Sequence, residues 1–194
     1  MSAWIHMIPL DEADGELKEV YELVKTPHGT VDNVMRAHSL RPATMRGHVT
    51  LYRSVLHNAD NALPFWFLEV VASYTSHLNK CEYSFSHHFT NACNLINDEA
   101  RNARILAAFE ARAPEQVFEG KELEFLRYTE ALTVNVANID KSYFDAMKAA
   151  GATDAEILEV NQVVAYFSYS NRLLNGLGVT TQGDTVGYYK KPGE

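Results

Sequence analysis

Pro64-Phe65-Trp66-Phe67-Leu68-Glu69-Val70-Val71-Ala72 opens the stretch that decides the fold, and its reading runs on to Leu78. Proline suits a helix start, where its missing N–H would have no intrahelical acceptor anyway. The apolar residues that follow cover all sides rather than one stripe. That pattern predicts a helix buried in a core or an interface. Asn79 to Glu82 reads as a break or tight junction, and Tyr83 to Ile96 as helix again.

The same punctuation extends outward in both directions. Leu17, Val20, Tyr21 and Val24 recur at i, i+3, i+4 and i+7, with Asp11 or Asp14 as cap. Thr26 to Gly29 breaks that helix. Pro42 takes a first helical position before Met45, Val49, Tyr52, Val55 and Leu56. Asn97-Asp98 caps a helix through Ile105, Leu106 and Phe109, which Pro114 ends. Leu123, Leu126, Thr129 and Leu132 form a further stripe. Asp140 caps a short helix that stops at Gly151. Thr153 and Glu156 fit a capping box, opening a helix to Asn175 with Gly176 and Gly178 as its stop. Strand signals are poor: there is no valine-rich alternation and no hairpin turn between extended runs. The expectation is all-α, a single domain over 1–194 with about seven to nine helices.

Composition agrees. Of 194 residues, 46% are hydrophobic and 22% charged, as in globular domains. A net charge of −8 disfavours nucleic acid as a partner. No run approaches the ~20 apolar residues of a membrane span, and the N-terminus does not read as a signal peptide. A cytoplasmic protein with reduced thiols is expected. The polar, Gly-rich tail 180–194 reads as a loose segment or one that wraps a neighbouring subunit.

Reactive side chains concentrate between Glu69 and Cys93. Cys81, Ser84 and His88 are spaced i, i+3, i+7 and share one helical face. His87 points about 100° away from His88. A turn near Asn79 would bring Glu69 to face Cys81 and His88. A cysteine at a helix start, with a histidine to take its proton and a carboxylate to orient that histidine, favours the nucleophilic thiolate. Cys93 lies twelve residues beyond Cys81, about 18 Å along a straight helix, so it reads as packing rather than a disulfide partner. His77, His87, Tyr166 and Tyr169 read as packing or surface groups. Arg172 reads either as an anion-binding group or as the partner of a core carboxylate. Glu69, Cys81 and His88 are permissible metal ligands, but no His-x-x-x-His spacing supports them; neither a metal nor a cofactor is expected.

Glu69, eleven residues, then Cys81-Glu82-Tyr83-Ser84-Phe85-Ser86-His87-His88 resembles the core motif of the AhpD-like alkylhydroperoxidases of the carboxymuconolactone decarboxylase superfamily. Val31-Asp32-Asn33-Val34, Ala37-His38-Ser39-Leu40, Val163-Val164-Ala165-Tyr166-Phe167, Asn171-Arg172-Leu173 and Gly176-Leu177-Gly178 resemble its peroxidase-related branch. The resemblance implies an AhpD-like bundle that forms homo-oligomers (dimers, trimers or hexamers), with Glu69 and His88 as proton relay. It also implies thiol-dependent reduction of hydroperoxides by a reductant the sequence does not reveal. The second motif cysteine is Ser84 here, so the two-cysteine cycle cannot run, and Cys81 is the surviving thiol. The alternative within the superfamily is acid–base chemistry by Glu69 and His88 on a small carboxylate, with Arg172 as its clamp. A third reading is a non-catalytic oligomeric binding protein.

Overall fold

Asp98, Asp140 and Thr153 each start a helix in the computed structural model, which describes residues 2–189. The Asp98 carboxylate accepts from Arg101 N at 2.9 Å, and that of Asp140 from Ser142 N at 2.8 Å. Thr153 and Glu156 form the reciprocal capping box. Each cap satisfies a backbone N–H that the first helical turn leaves unpaired.

Nine α-helices are present among the described residues. They are α1 (Gly15–Val24), α2 (Asn33–Arg36), α3 (Pro42–Leu56), α4 (Phe65–Leu78), α5 (Glu82–Ile96), α6 (Glu99–Ala111), α7 (Gly120–Val134), α8 (Lys141–Ala149) and α9 (Asp154–Leu177). The all-α expectation holds. Details differ where local chemistry allowed two answers. Pro64 is the N-cap of α4 rather than its first residue. Asp14 occupies the α1 N-cap without a side-chain bond. Helix α9 passes through Gly176 and stops at Gly178, whose φ of 60° lies in the left-handed region. There the Val179 N–H reaches the Leu174 carbonyl at 3.0 Å and closes the helix end. The four-residue α2 is too short to show a period.

Helix α4 is the axis of the molecule, packed by α5, α7 and α9. Its residues Phe67, Leu68, Val71 and Tyr74 meet Phe109, Phe125, Leu126, Val160, Val164 and Phe167 in the main core. Burying each such side chain contributes about 1.5–3 kcal/mol. A second cluster joins α1 to α3 through Val20, Tyr21, Met45 and Val49.

The α4–α5 junction positions the site. Lys80 adopts φ 53°, and Cys81 N bonds back to the Ser76 carbonyl at 2.9 Å, a Schellman-type stop. Helix α5 then runs back along α4. Ser84 comes to lie beside Ser76, and His88 beside Glu69.

The tail corrects an expectation. Residues 180–189 are neither loose nor detached: they strap across their own chain. Asn33 Nδ2 donates to the carbonyls of Thr180 and Gln182 at 2.9 and 3.0 Å. Tyr188 N donates to Asn91 Oδ1 at 2.9 Å, and Asn94 Nδ2 to the Tyr189 carbonyl at 2.8 Å. Gly187 lets the strap approach, since a Cβ there would sit 2.5 Å from Thr90 Cγ2. Residues 190–194 of that predicted tail lie outside the described residues.

Candidate active site

Glu69 sits mid-way along the most buried helix, and its side chain has no exposed surface. A carboxylate in that position needs partners. Oε2 lies 2.7 Å from His88 Nδ1, and Oε1 accepts from Asn91 Nδ2 at 3.3 Å. Both partners come from α5, one turn apart. In the neutral ring that arrangement places the His88 proton on Nδ1 and leaves Nε2 with its lone pair. The His88 ring also rests edge-on against Phe167 of α9, centroids 4.5 Å apart, which limits its swing.

His88 and Ser84 border a cavity of about 310 Å³. The strap residues Tyr188 and Tyr189 close one side, α3 supplies Tyr52 and Arg53 with its C-cap His57, and α9 supplies Tyr166 and Ser170. Aromatic rings pack around it: Tyr52 meets His57 edge-on at 4.8 Å and Tyr166 at a tilt at 5.7 Å, and His87 stacks on Tyr83 at 4.8 Å. Ser84 Oγ lies 3.0 Å from Ser76 Oγ, which donates to the Ala72 carbonyl at 2.8 Å and adjoins the buried Asn171 amide.

Burial sets most ionisations here. It pulls His57 and His87 down to about 4, aided in both by the nearby His88. It pushes Asp32 up to about 6, opposed by the Tyr188 hydroxyl bond and reinforced by neighbouring Asp184. Behind Tyr166 lies a buried chain. Tyr166 Oη is 2.7 Å from His48 Nε2, His48 Nδ1 is 2.9 Å from His38 Nε2, and His38 Nδ1 is 3.1 Å from Thr44 Oγ1. Burial, then His38, drops His48 to about 3, so it is neutral at pH 7.

Of the residues singled out in the sequence, the structure brings Glu69, His88 and Ser84 together. Cys81 does not join them. Its backbone is extended (φ −96°, ψ 91°) as the N-cap of α5, so its side chain leaves the helical face that spacing assigned to it. The thiol, 1% exposed, is buried with Ala3, Ala37, Tyr83, Leu174 and Val179. Burial raises its pKa and outweighs the lowering by the Ser84 and Tyr83 backbone N–H groups, so the expected helix-start activation is reversed. Cys93 is a free, half-buried thiol, also pushed up by burial. Arg172 bonds the Ser168 carbonyl of its own helix at 2.7 Å on an exposed face and does not line the cavity. Among the described residues it pairs with no core carboxylate. No group of three His, Cys, Asp or Glu side chains is arranged to hold a metal among the described residues.

Solved structures show the same architecture. A protein from Ralstonia eutropha JMP134, described as an alkylhydroperoxidase AhpD core and uncharacterized peroxidase-related protein, superposes with a TM-score of 0.81 at 17% identity, over 95% of this chain and 94% of that one. An uncharacterized peroxidase-related protein from Silicibacter sp. TM1040 gives 0.78 at 19% identity, over 94% and 93%.

The fold is that of the AhpD-like proteins.

The debrominase Bmp8 shares this AhpD-like fold, with a TM-score of 0.71 at 17% identity over 94% of this chain and 92% of that one. A variant of Bmp8 has been solved in complex with 2,3,4-tribromopyrrole. No family model and no curated protein matches the sequence. Within the AhpD-like frame, sequence reasoning missed the residues that shape the cavity. His38 lies in the turn after α2 and His48 ten residues on in α3, and Asp32, Tyr188 and Tyr189 come from opposite ends of the chain. His87 and Tyr166 are singled out in the sequence and read as packing, and Asp32 and His38 stand only within the segments that carry the resemblance. No described helix is long and apolar enough to cross a membrane.

Proposed function

We propose that this AhpD-like chain is an acid–base enzyme in which His88, held by Glu69, moves a proton on a small ring molecule seated in the cavity. One observation carries the reading. His88, with Nδ1 bonded to a fully buried carboxylate, borders a ligand-sized cavity that neither cysteine lines. A neutral imidazole with its second nitrogen so oriented is a competent general base, and returns the proton as general acid. Ser84 supplies a hydroxyl one helical turn away, able to hold a substrate oxygen.

The thiol-peroxidase reading has less support. It needs an accessible thiolate beside the relay. Here that position is Ser84, while Cys81 is buried in another cluster with a raised pKa. A carboxylate substrate clamped by Arg172 also loses its anchor. The aromatic walls favour a flat ring, and the AhpD-like debrominase bound to a halogenated pyrrole offers a precedent for such a ligand in this fold.

The test is deuterium incorporation. Small cyclic ketones, hydroxyarenes and ring carboxylates are incubated with the protein in D₂O, and C–H to C–D exchange is read by mass spectrometry. The expected result is exchange that falls by about 10²–10⁴-fold in His88→Gln and persists in Cys81→Ala. Exchange lost in Cys81→Ala but kept in His88→Gln, or none across the panel, would overturn the reading.

A further inference from the structure

The hydrogen-bond polarity of the cavity can be followed atom by atom. The Thr44 hydroxyl donates to the Arg41 carbonyl at 2.8 Å, so its oxygen can only accept from His38 Nδ1–H. Neutral His38 then accepts at Nε2 from His48 Nδ1–H, and neutral His48 accepts at Nε2 from the Tyr166 hydroxyl. The Tyr166 proton therefore points away from the cavity. Three other groups repeat the pattern. The Tyr83 hydroxyl donates to Asp184 and that of Tyr188 to Asp32, both at 2.5 Å, and His88 Nδ1–H faces Glu69. Tyr166, Tyr188 and the neutral His88 ring keep lone pairs rather than protons for a ligand, whereas the Tyr83 oxygen already accepts from Val34 N at 3.2 Å. His87 Nε2 is a buried nitrogen with no hydrogen-bond partner among the described residues, open as donor or acceptor according to the ring's tautomer.

Charge points the same way. Three carboxylates stand behind the walls: Glu69, Asp32 and Asp184. The two lining cations are exposed to solvent rather than buried in the cavity. Lys25 pairs with Glu22 at 2.6 Å, and Arg53 bonds the Leu23 carbonyl at 2.9 Å. The Tyr52, Ser84 and Ser170 hydroxyls rotate and serve as either donor or acceptor, but none carries charge. A bound anion would thus meet lone pairs and a negative background, and would give up its hydration for little return.

We infer that the cavity selects small flat ring molecules in their uncharged, proton-donating form, phenols and ring amines, and excludes carboxylates and phenolates. The O–H or N–H of such a ring meets the acceptor lone pairs while the ring lies among the tyrosines. The inference rests on the reading of the cavity as the substrate site and narrows its substrate class.

Three probes of one shape test it: 4-nitroaniline, 4-nitrophenol and 4-nitrobenzoate, titrated into the intact protein by absorbance from pH 6.5 to 8.5. The charged and titratable groups facing a probe are Lys25, Asp32, Arg53, His57, His87 and His88, and the always-neutral nitroaniline controls for them. Nitroaniline is expected to bind equally across the range. Nitrophenol is expected to bind with the spectrum of its neutral form and to weaken about tenfold per pH unit above its own pKa. Nitrobenzoate is expected to bind at least about a hundredfold more weakly. Val34→Trp, which fills the cavity from its wall, should cut nitroaniline affinity about tenfold or more. Nuclear Overhauser contacts between the probe ring and Tyr52 or Tyr188 give the same localisation without a variant. Nitrobenzoate or nitrophenolate binding as tightly as nitroaniline, binding that neither Val34→Trp nor those contacts assign to the cavity, or no binding at millimolar concentration would overturn the inference. The readout involves no turnover. Failure of His88 catalysis leaves it standing, and exchange on a ring carboxylate would support the catalysis while removing this substrate class.

Discussion

His88 Nδ1 lies 2.7 Å from Oε2 of Glu69, a carboxyl with no exposed surface. The pair joins the middle of α4 to the middle of α5, so it is at once a structural tie and the element that sets the imidazole tautomer. Glu69→Ala leaves the His88 and Asn91 donors without an acceptor and should lower stability by about 1–3 kcal/mol in urea melts. Glu69→Gln keeps an acceptor, and should retain most of that stability while letting His88 sample both tautomers. Nitrogen-15 shifts of the His88 ring read this directly. A single unchanged Nδ1–H tautomer in Glu69→Gln would show that the carboxylate does not set it.

Ser84 occupies the cavity position that a thiol would need. Ser84→Cys should therefore create peroxide reactivity beside His88, with a dimedone adduct forming roughly tenfold or more faster than in the parent chain. The adduct should map to position 84. An unreactive Ser84→Cys protein would show that the cavity lacks what a thiolate requires.

The buried histidines predict acid lability. His48 is held near 3 and His87 near 4, whereas an unfolded histidine titrates near 6.5. Between those values the unfolded chain binds protons that the folded chain refuses. Stability contributed by neutral burial is complete above about pH 6.5 and is lost as pH falls through the range 6.5 to 3. His48→Phe should flatten this dependence. It should also cost roughly 2–5 kcal/mol at pH 7, because Tyr166 and His38 each lose a buried partner. Denaturant melts from pH 4 to 8 check both effects.

Asp32 acts in the opposite sense. Its carboxyl is raised to about 6 from an ordinary value near 3.8, so the folded chain holds a proton that the unfolded chain has released. Stability from this group declines as pH rises from about 4 to 6, then stays level, a loss of about 1–3 kcal/mol. Asp32→Asn keeps an acceptor for Tyr188 and removes the charge. Its melting temperature should exceed that of the parent increasingly from pH 5 to 7. A difference independent of pH would contradict the raised value.

The helices were legible because their signals are local. Pro42, Asp98, Asp140 and the Thr153–Glu156 box act within one turn, and the all-apolar run after Pro64 announces a buried helix. The pairing of Glu69 with His88 was legible through the turn at Asn79. Cys81 was misjudged because an N-cap residue leaves the helical spoke that i, i+3, i+7 spacing assumes. The rest of the site was hidden for a physical reason. The cavity is walled by side chains from α3, α9 and the 180–189 strap, and the polarity of its hydrogen bonds depends on contacts such as Tyr166–His48 and Tyr188–Asp32, 118 and 156 positions apart. No periodicity encodes such contacts.

The most direct measurement of the central claim is intact-mass analysis after brief exposure to stoichiometric cumene hydroperoxide with dimedone present, with Cys81→Ala as control. The account predicts no adduct and two reduced thiols, Cys81 being buried and outside the cavity. A dimedone adduct that forms rapidly on the parent chain and vanishes in Cys81→Ala would contradict it, and would return the chemistry to the thiol.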